Sequence, residues 1–336
     1  MSKPAKTEPT DLPSYSIAIR TLGKSGVLLK KELQSIANQR NSPDKVLVYI
    51  AKGFERPEYS IGCEEYVEVD KGMVSQRALS YDEIESEFIL LLDDDVQLAP
   101  DSAERLLNAA VDNNADCVCS DTFHNQNMGV AAKLYNIFVN MTFPFRSKKW
   151  AMKIGADGAM SYNASPENRF YETQAGEGPA ILVRKKAWLE CDMKSEKWMD
   201  SLGFAYADDF LEIFKLHSNG FKCGTLYGSG IVHLNGATSS KSYKSDPKRF
   251  FLRSKSIYIN WHRMMMSDPS ANKIAKLTRM LAFSLRCTVL LLSYITAAVA
   301  MINPKIPFYH IQGLFHGYRF AKSASYKNLP PFVLRK

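Results

Sequence analysis

Through the first 120 positions, short apolar runs alternate with amphipathic stretches, the pattern of buried parallel strands interleaved with helices. Ser16–Arg20 predicts a first strand, closed by turn residues between Gly23 and Gly26. A helix follows, with Leu29, Leu33, Ile36 and Ala37 on one face. Lys45–Ile50 and Tyr66–Val69 predict two more strands, Val74 to about Ile84 a helix, and Phe88–Leu92 a fourth, buried strand. Pro100 and Asp101 open another helix, with Asp101 as its cap and Leu106, Leu107 and Ala110 turned inward. Ala115–Ser120 predicts a fifth strand. The stretch from Phe123 to Thr173 has weak periodicity and predicts loops and short elements. Ala180–Val183 restores strand character, followed by a short amphipathic piece, Lys185–Leu189. Asp208–Asn219 then predicts a helix stopped by Gly220, with Phe210, Ile213, Phe214 and His217 on its inner face. Phe221–Tyr227 predicts another strand. Such alternation indicates an α/β fold whose ligands bind beyond the carboxyl ends of the strands.

The rear of the chain differs in kind. Arg249–Met266 interleaves bases with aromatics, as an interfacial amphipathic segment does. Met280–Ile302 is apolar apart from Arg286, long enough to span a bilayer, yet basic on both flanks. That symmetry favours a hairpin-like, re-entrant or in-plane arrangement over a single span, with a buried core helix as the soluble alternative. Charge sharpens the division. Residues 241–336 hold 17 Lys and Arg against Asp246 and Asp268, whereas residues 1–240 carry 26 bases and 33 acids. A basic rear beside an apolar run points to an anionic membrane, and no base-reading module accompanies it to suggest nucleic acid. The six cysteines lack C-x-x-C spacing and read as reduced thiols, and Met1–Pro13 has no apolar core of a secretory signal. The organisation is therefore a flexible arm at 1–13, an α/β domain at 14–240, and a basic, aromatic and apolar membrane-associated region at 241–336, on the cytoplasmic side of the membrane. Oligomeric state is open.

The candidate chemistry starts at Asp93-Asp94-Asp95, which ends the apolar strand. Three adjacent carboxylates repel one another unless a cation neutralises them, and oxygen ligands at a strand end suit Mg²⁺ or Mn²⁺ carrying substrate phosphates. Asp208 and Asp209 open the amphipathic helix, where capping accounts for one carboxylate and leaves the second for general-base work. His233 ends a short apolar run and joins the aspartates as a metal ligand or stays structural. Gln174–Pro179 holds two glycines beside a proline, which either lets backbone approach a ligand or forms an ordinary turn.

Taken in order, these pieces resemble the family-2 glycosyltransferases, which are mostly inverting and have the GT-A fold, a Rossmann-like, mostly parallel sheet flanked by helices. The resemblance covers roughly Tyr15 to Gly236. Gly72-Met73-Val74-Ser75-Gln76-Arg77-Ala78 is similar to the family's glycine-to-arginine segment near the nucleotide diphosphate. LLLDDDVQL matches its D-x-D motif, Ala207-Asp208-Asp209 its acidic pair, and SGIVHL the strand whose histidine completes the metal site. The resemblance implies a divalent cation, Mn²⁺ or Mg²⁺, on Asp93, Asp95 and His233, and a nucleoside-diphosphate sugar as donor, contacted by Arg20, Gln76, Arg77, Asp93, Asp94 and Gly178. It implies Asp209 as base, with Asp208 as substitute, and a glycan or lipid-linked acceptor of the surface-polysaccharide type. One departure stands out: Tyr49-Ile50-Ala51-Lys52-Gly53 occupies the place of the family's base-recognising aspartates. The competing readings are a glycosyltransferase-like subunit without turnover and a haloacid-dehalogenase-like phosphatase using Asp93-x-Asp95.

Overall fold

A computed structural model describes residues 12–122, 134, 137, 142–203, 206–234, 246 and 248–334. The strands are β1 Tyr15–Thr21, β2 Val46–Ala51, β3 Glu64–Val69, β4 Phe88–Asp93, β5 Val96–Leu98, β6 Cys117–Ser120, β7 Pro144–Phe145, β8 Trp150–Ile154, β9 Met160–Asn163, β10 Phe170–Thr173, β11 Ala180–Arg184, β12 Cys223–Leu226 and β13 Ile231–His233. Eleven of them form one sheet in the order β3-β2-β1-β4-β11-β6-β12-β10-β8-β9-β7, while β13 pairs antiparallel with β5 in a ribbon of two. The front strands β1 to β4 run parallel, and β11 enters antiparallel between β4 and β6. The α/β expectation holds: a large mixed sheet with helices on both faces.

Side-chain alternation assigns each face its partner. Ile17, Ile19, Leu90 and Leu92 pack on α1 (Val27–Ala37) and α2 (Ser102–Asp112), through Leu29, Leu33, Leu106 and Leu107. Ala18, Tyr49, Ile89 and Leu91 face the opposite way, toward Trp188 of α3 (Lys185–Glu190) and toward α4 (Asp208–Ser218). The same apolar cluster runs on into the rear of the chain, through Phe250 and Trp261 of α5 (Arg249–Trp261) and Phe283, Leu290 and Tyr294 of α6 (Lys273–Ala300). A 17-residue helix, α7 (Lys305–Ala321), packs on α5, and a short α8 (Ala324–Lys327) follows. The boundary expected at 240 lies outside the described residues, as do residues 1–11 of the expected arm.

Five expectations need correction. Val74–Ile84 is not a helix but a chain of turns, in which Val74, Ala78, Tyr81 and Ile84 are nonetheless all buried. Tyr81 takes a positive φ of 53°, which breaks any helix, and the Asp200 carboxylate draws Val74 and Ser75 N–H out of helical pairing. Asp101 makes no cap hydrogen bond, because Arg105 takes its carboxylate at 2.8 Å. The inner face of α4 is not the Phe210, Ile213, Phe214, His217 stripe: Leu211, Glu212, Ile213, Lys215 and Leu216 are buried, since the helix is covered on more than one side. Arg249–Met266 is not interfacial. Its bases Arg253 and Arg263 face inward, to the Tyr206 ring and to Glu196, and α7 covers another side. Met280–Ile302 is not a buried core helix either, as half of α6 is exposed and only Phe283, Arg286, Leu290 and Tyr294 are buried. The weakly periodic middle does form short elements, and β7 to β10 extend the sheet; residues 123–133, 135, 136 and 138–141 of it lie outside the described ones.

Candidate active site

The site gathers where β1 and β4 end side by side, Arg20 opposite Asp93 in register. Neighbouring parallel strands stop together here, so their terminal polar residues meet over the sheet's carboxyl edge. Arg20 Nε donates to Asp93 Oδ1 at 2.6 Å, and its Nη1 donates to the Met73 carbonyl at 2.6 Å. The same Nη1 lies 3.5 Å from Asp208 Oδ2. Arg77, only 2% exposed, brings Nη2 to within 2.7 Å of both Asp93 Oδ1 and the Gly178 carbonyl. Burial alone would raise the Asp93 carboxyl, but Arg20, Arg77 and His233 hold it below the usual carboxylate range. Arg20 is raised from its ordinary value: burial opposes its charge, and Asp93 and Asp208 outweigh that.

Asp94 and Asp95 diverge from Asp93. Thr21 Oγ1 donates to Asp94, whose carboxyl burial pushes upward. Asp95 Oδ1 stands 3.0 Å from His233 Nε2, because the β5–β13 ribbon brings His233 opposite Val96. The expected ligand trio is thus divided: Asp95 with His233, and Asp93 with two guanidinium groups. Among the described residues no group of three or more His, Cys, Asp or Glu side chains is disposed to hold a metal. Gln76 spends its Nε2 on the carbonyls of Thr21 and Tyr49, tying together the ends of β1 and β2.

The acidic pair sits on the other side of Arg77. Ala207, at a φ of 61°, turns the chain into α4, whose first two residues are Asp208 and Asp209; Ala207 itself supplies no side-chain cap. Asp209 is half-buried and accepts Gly178 N–H at 3.0 Å and Phe210 N–H at 2.9 Å. Burial, with Asp208 beside it, pushes its carboxyl up to about 7. Gly178 leaves little room for a side chain: a Cβ there would stand 3.0 Å from Asp209 Cβ and 3.1 Å from Arg77 Nη1.

Four residues that matter here escaped the sequence reading. Glu212, one turn after Asp208, is fully buried with Oε2 3.8 Å from Arg77 Nη1, and burial raises its carboxyl to about 8. Asp200 holds the 72–77 loop through Val74 N, Ser75 N and Ser75 Oγ. Asp121, following β6, accepts from Gly228 N, Ser229 N and Ser229 Oγ and so fixes the approach to β13 and His233. Asn260 of α5 donates to the Tyr206 carbonyl at 2.7 Å, just ahead of Ala207. Asp121 had a readable signal, a carboxylate directly after a buried strand; the others depend on tertiary contacts.

Comparison with known proteins gives the site its setting. No curated protein sequence matches the chain. Among solved structures, GalNAc-T7 with UDP, GalNAc and Mn²⁺ is similar at 9% identity and a TM-score of 0.49, covering 87% of this chain and 59% of that one. S. aureus TarS is similar at 11% identity and a TM-score of 0.44, covering 81% and 43%; its 1–349 segment gives 12%, 0.45, and 93% of both chains. The chain therefore spans about three-fifths or less of the first two of these chains. The family model described as glycosyl transferase family 2 matches residues 30–169, the stretch that holds Gln76, Arg77 and all three strand-end aspartates.

Proposed function

We propose that the chain transfers a sugar from a nucleoside-diphosphate sugar to a hydroxyl of a glycan or lipid-linked acceptor, inverting the anomeric carbon in one displacement. We place this work in surface-polysaccharide assembly at the cytoplasmic face of the plasma membrane, with α6 and α7 of the basic rear holding the protein to an anionic surface. The observation that carries the reading is Asp209. It is half-buried at the mouth of the strand-end cluster, fixed by two backbone N–H groups, and raised to about 7. A base poised near neutrality takes the acceptor proton as the hydroxyl attacks. Arg20 and Arg77 then orient the donor side of the site through Asp93, with Asp94 and Gly178 shaping its floor.

A divalent cation fits the donor set. Asp95 Oδ1 and His233 Nε2 are 3.0 Å apart, an oxygen and a nitrogen donor that one divalent ion could share. In this proposal Asp95 and His233 hold Mn²⁺ or Mg²⁺, with Asp93 alongside, and the bound ion would neutralise charge on the departing nucleoside diphosphate.

The test is thermal unfolding with a panel of nucleoside diphosphates, with and without Mn²⁺. A ligand at 100 times its Kd adds about 2.7 kcal/mol. One nucleotide should stabilise the parent in a metal-dependent way, and Asp95→Ala and His233→Ala should abolish that response. Asp209→Asn should retain the response while losing transfer. A folded parent that answers to no nucleotide would overturn the donor assignment.

A further inference from the structure

We infer that α6 and α7 lie flat in the surface of an anionic bilayer as a two-helix plate, with α6 parallel to the membrane rather than across it. This deepens, and rests on, the membrane attachment proposed above. Two independent features of the fold carry it: what holds the inner sides of the two helices, and what their outer sides present.

The inner sides are committed to protein. Phe283, Arg286, Leu290 and Tyr294 recur every three or four residues along α6 and are buried. Phe283 stacks on Trp261 with ring centres 4.0 Å apart, and Tyr294 meets Phe250 edge-on at 4.9 Å. Arg286, midway along, donates Nη1 to the Asp157 carbonyl at 2.9 Å, in the turn between β8 and β9. At 28 residues α6 is about 42 Å long, enough to cross a bilayer on length and composition. Crossing would strip these contacts from the catalytic domain and carry Arg286 into hydrocarbon, whereas lying in plane keeps all of them. On α7, Gly313 and Gly317 face α5. A Cβ at Gly313 would overlap the Phe251 carbonyl, and one at Gly317 would stand 2.8 Å from Tyr258 Cβ. The two glycines let α7 sit backbone-close on α5, which fixes its opposite side outward.

That outer side is apolar and continuous in pattern. Ile274, Leu277, Leu281, Leu285, Leu292 and Val299 follow one stripe of α6, with Ile274 76% and Val299 78% exposed. Phe308, Ile311, Phe315 and Tyr318 follow one stripe of α7, Phe308 being 62% exposed. Scattered exposed apolar residues need no explanation, but ten in two helical stripes mark a surface made to be covered. Charge names the occupant. From Lys273 to Lys336 the sequence has ten Lys and Arg and no Asp or Glu. Lys273, Lys305, Arg319 and Lys322 are exposed at the helix ends. A protein partner of the same charge would be repelled, so a second copy is disfavoured, while anionic headgroups beside an acyl layer match both the rim and the stripe.

The full chain should float with vesicles of phosphatidylcholine and phosphatidylglycerol at least tenfold more tightly than with phosphatidylcholine alone, the ratio shrinking at high salt. The triple variant Leu281→Ser, Leu285→Ser, Leu292→Ser should bind those vesicles at least tenfold more weakly while unfolding at the parent's temperature. Orientation is read in membrane vesicles from an expressing cell, with Lys273→Cys and Ile302→Cys placed singly in a Cys63→Ser chain. Both thiols should react with an impermeant reagent from the same side; reaction from opposite sides means α6 spans and overturns the inference. Undiminished flotation of the triple variant would also overturn it, as would a dimer that the same substitutions dissolve without any vesicle binding. Nucleotide-dependent stabilisation, measured on the same samples, separates the two proposals: a chain that floats but binds no nucleotide removes the transferase assignment and leaves the plate.

Discussion

At the residue scale, the proposed chemistry turns on a carboxylate whose charge the fold resists. Asp209 must be ionised to act as base, so transfer should rise with pH through about 7 and be lost below it. Asp209→Asn should lower the rate by about 10²–10⁴-fold, the usual worth of a positioned base. Stability gives a second reading. The folded carboxyl titrates above its unfolded value near 4, so ionisation opposes folding; that penalty is absent below about pH 4 and complete above about 7. Asp209→Asn should therefore melt higher than the parent at pH 8, with the gap closing as pH falls to 4. A variant that melts lower at pH 8 would mean that the Gly178 and Phe210 N–H groups outweigh burial. Gly178→Ala pushes a methyl onto Asp209 and Arg77, and should cost about 1–3 kcal/mol in denaturant titration together with most of the activity. The aspartates themselves were legible because LLLDDD sets charge against a buried strand. Glu212 was not. In a helix read as amphipathic, a glutamate counts as solvent face until Arg77, 135 positions earlier in the chain, is seen beside it.

At the element scale, the front strands and their helices could be read because each has the period of its own type, and one helix face or strand side packs on one neighbour. Reading failed where tertiary contacts, not local period, decide the backbone. Val74, Ala78 and Tyr81 keep helical spacing, yet Asp200 and the positive φ of Tyr81 impose turns that bury the same residues. The interleaved bases and aromatics of α5 looked interfacial because sequence does not say that Glu196 and Tyr206 wait opposite Arg263 and Arg253. α5 instead supports the turn ahead of Asp208 and Asp209. Asn260 holds the Tyr206 carbonyl while the next residue, Ala207, sits in left-handed backbone that a non-glycine residue adopts at a cost of roughly 1–2 kcal/mol. Asn260→Ala should destabilise the fold by about 1–3 kcal/mol and lower kcat with little change in donor KM, since the strand-end cluster is untouched. Steady-state kinetics decide it: an unaltered kcat would show that Ala207 keeps its conformation without α5.

At the scale of the whole molecule, the rear helices are joined to the front sheet and its helices by charge as well as by apolar contact. Glu196 lies in a 3-10 helix, Met193–Leu202, and its Oε1 takes Lys215 Nζ at 2.8 Å and Arg263 Nη2 at 2.7 Å, with Lys215 and Glu196 fully buried. Lys215 belongs to α4 and Arg263 to the π-helical turn after α5, so one carboxylate clasps the active-site helix to the rear of the chain. The C-terminal segment closes over the same place: both cations lie near the Phe332 ring, and Asn219 bonds the Phe332 carbonyl and Leu334 N–H. Burial would raise the Glu196 carboxyl, but Arg263 and Lys215 hold it below its ordinary value. Its contribution is therefore present above the unfolded value near 4.5 and is lost as pH falls through the lower, folded value. Glu196→Gln leaves two buried cations facing each other without their anion, and should cost about 3–5 kcal/mol at neutral pH. If the clasp is what joins the halves, limited proteolysis of this variant at pH 7 should cut within 249–334 while the β1–β4 core stays intact, and mild acid should bring the parent to the same pattern. Cleavage spread evenly along both halves would instead show a single cooperative unit, in which Glu196 stabilises the whole fold and joins no separable parts.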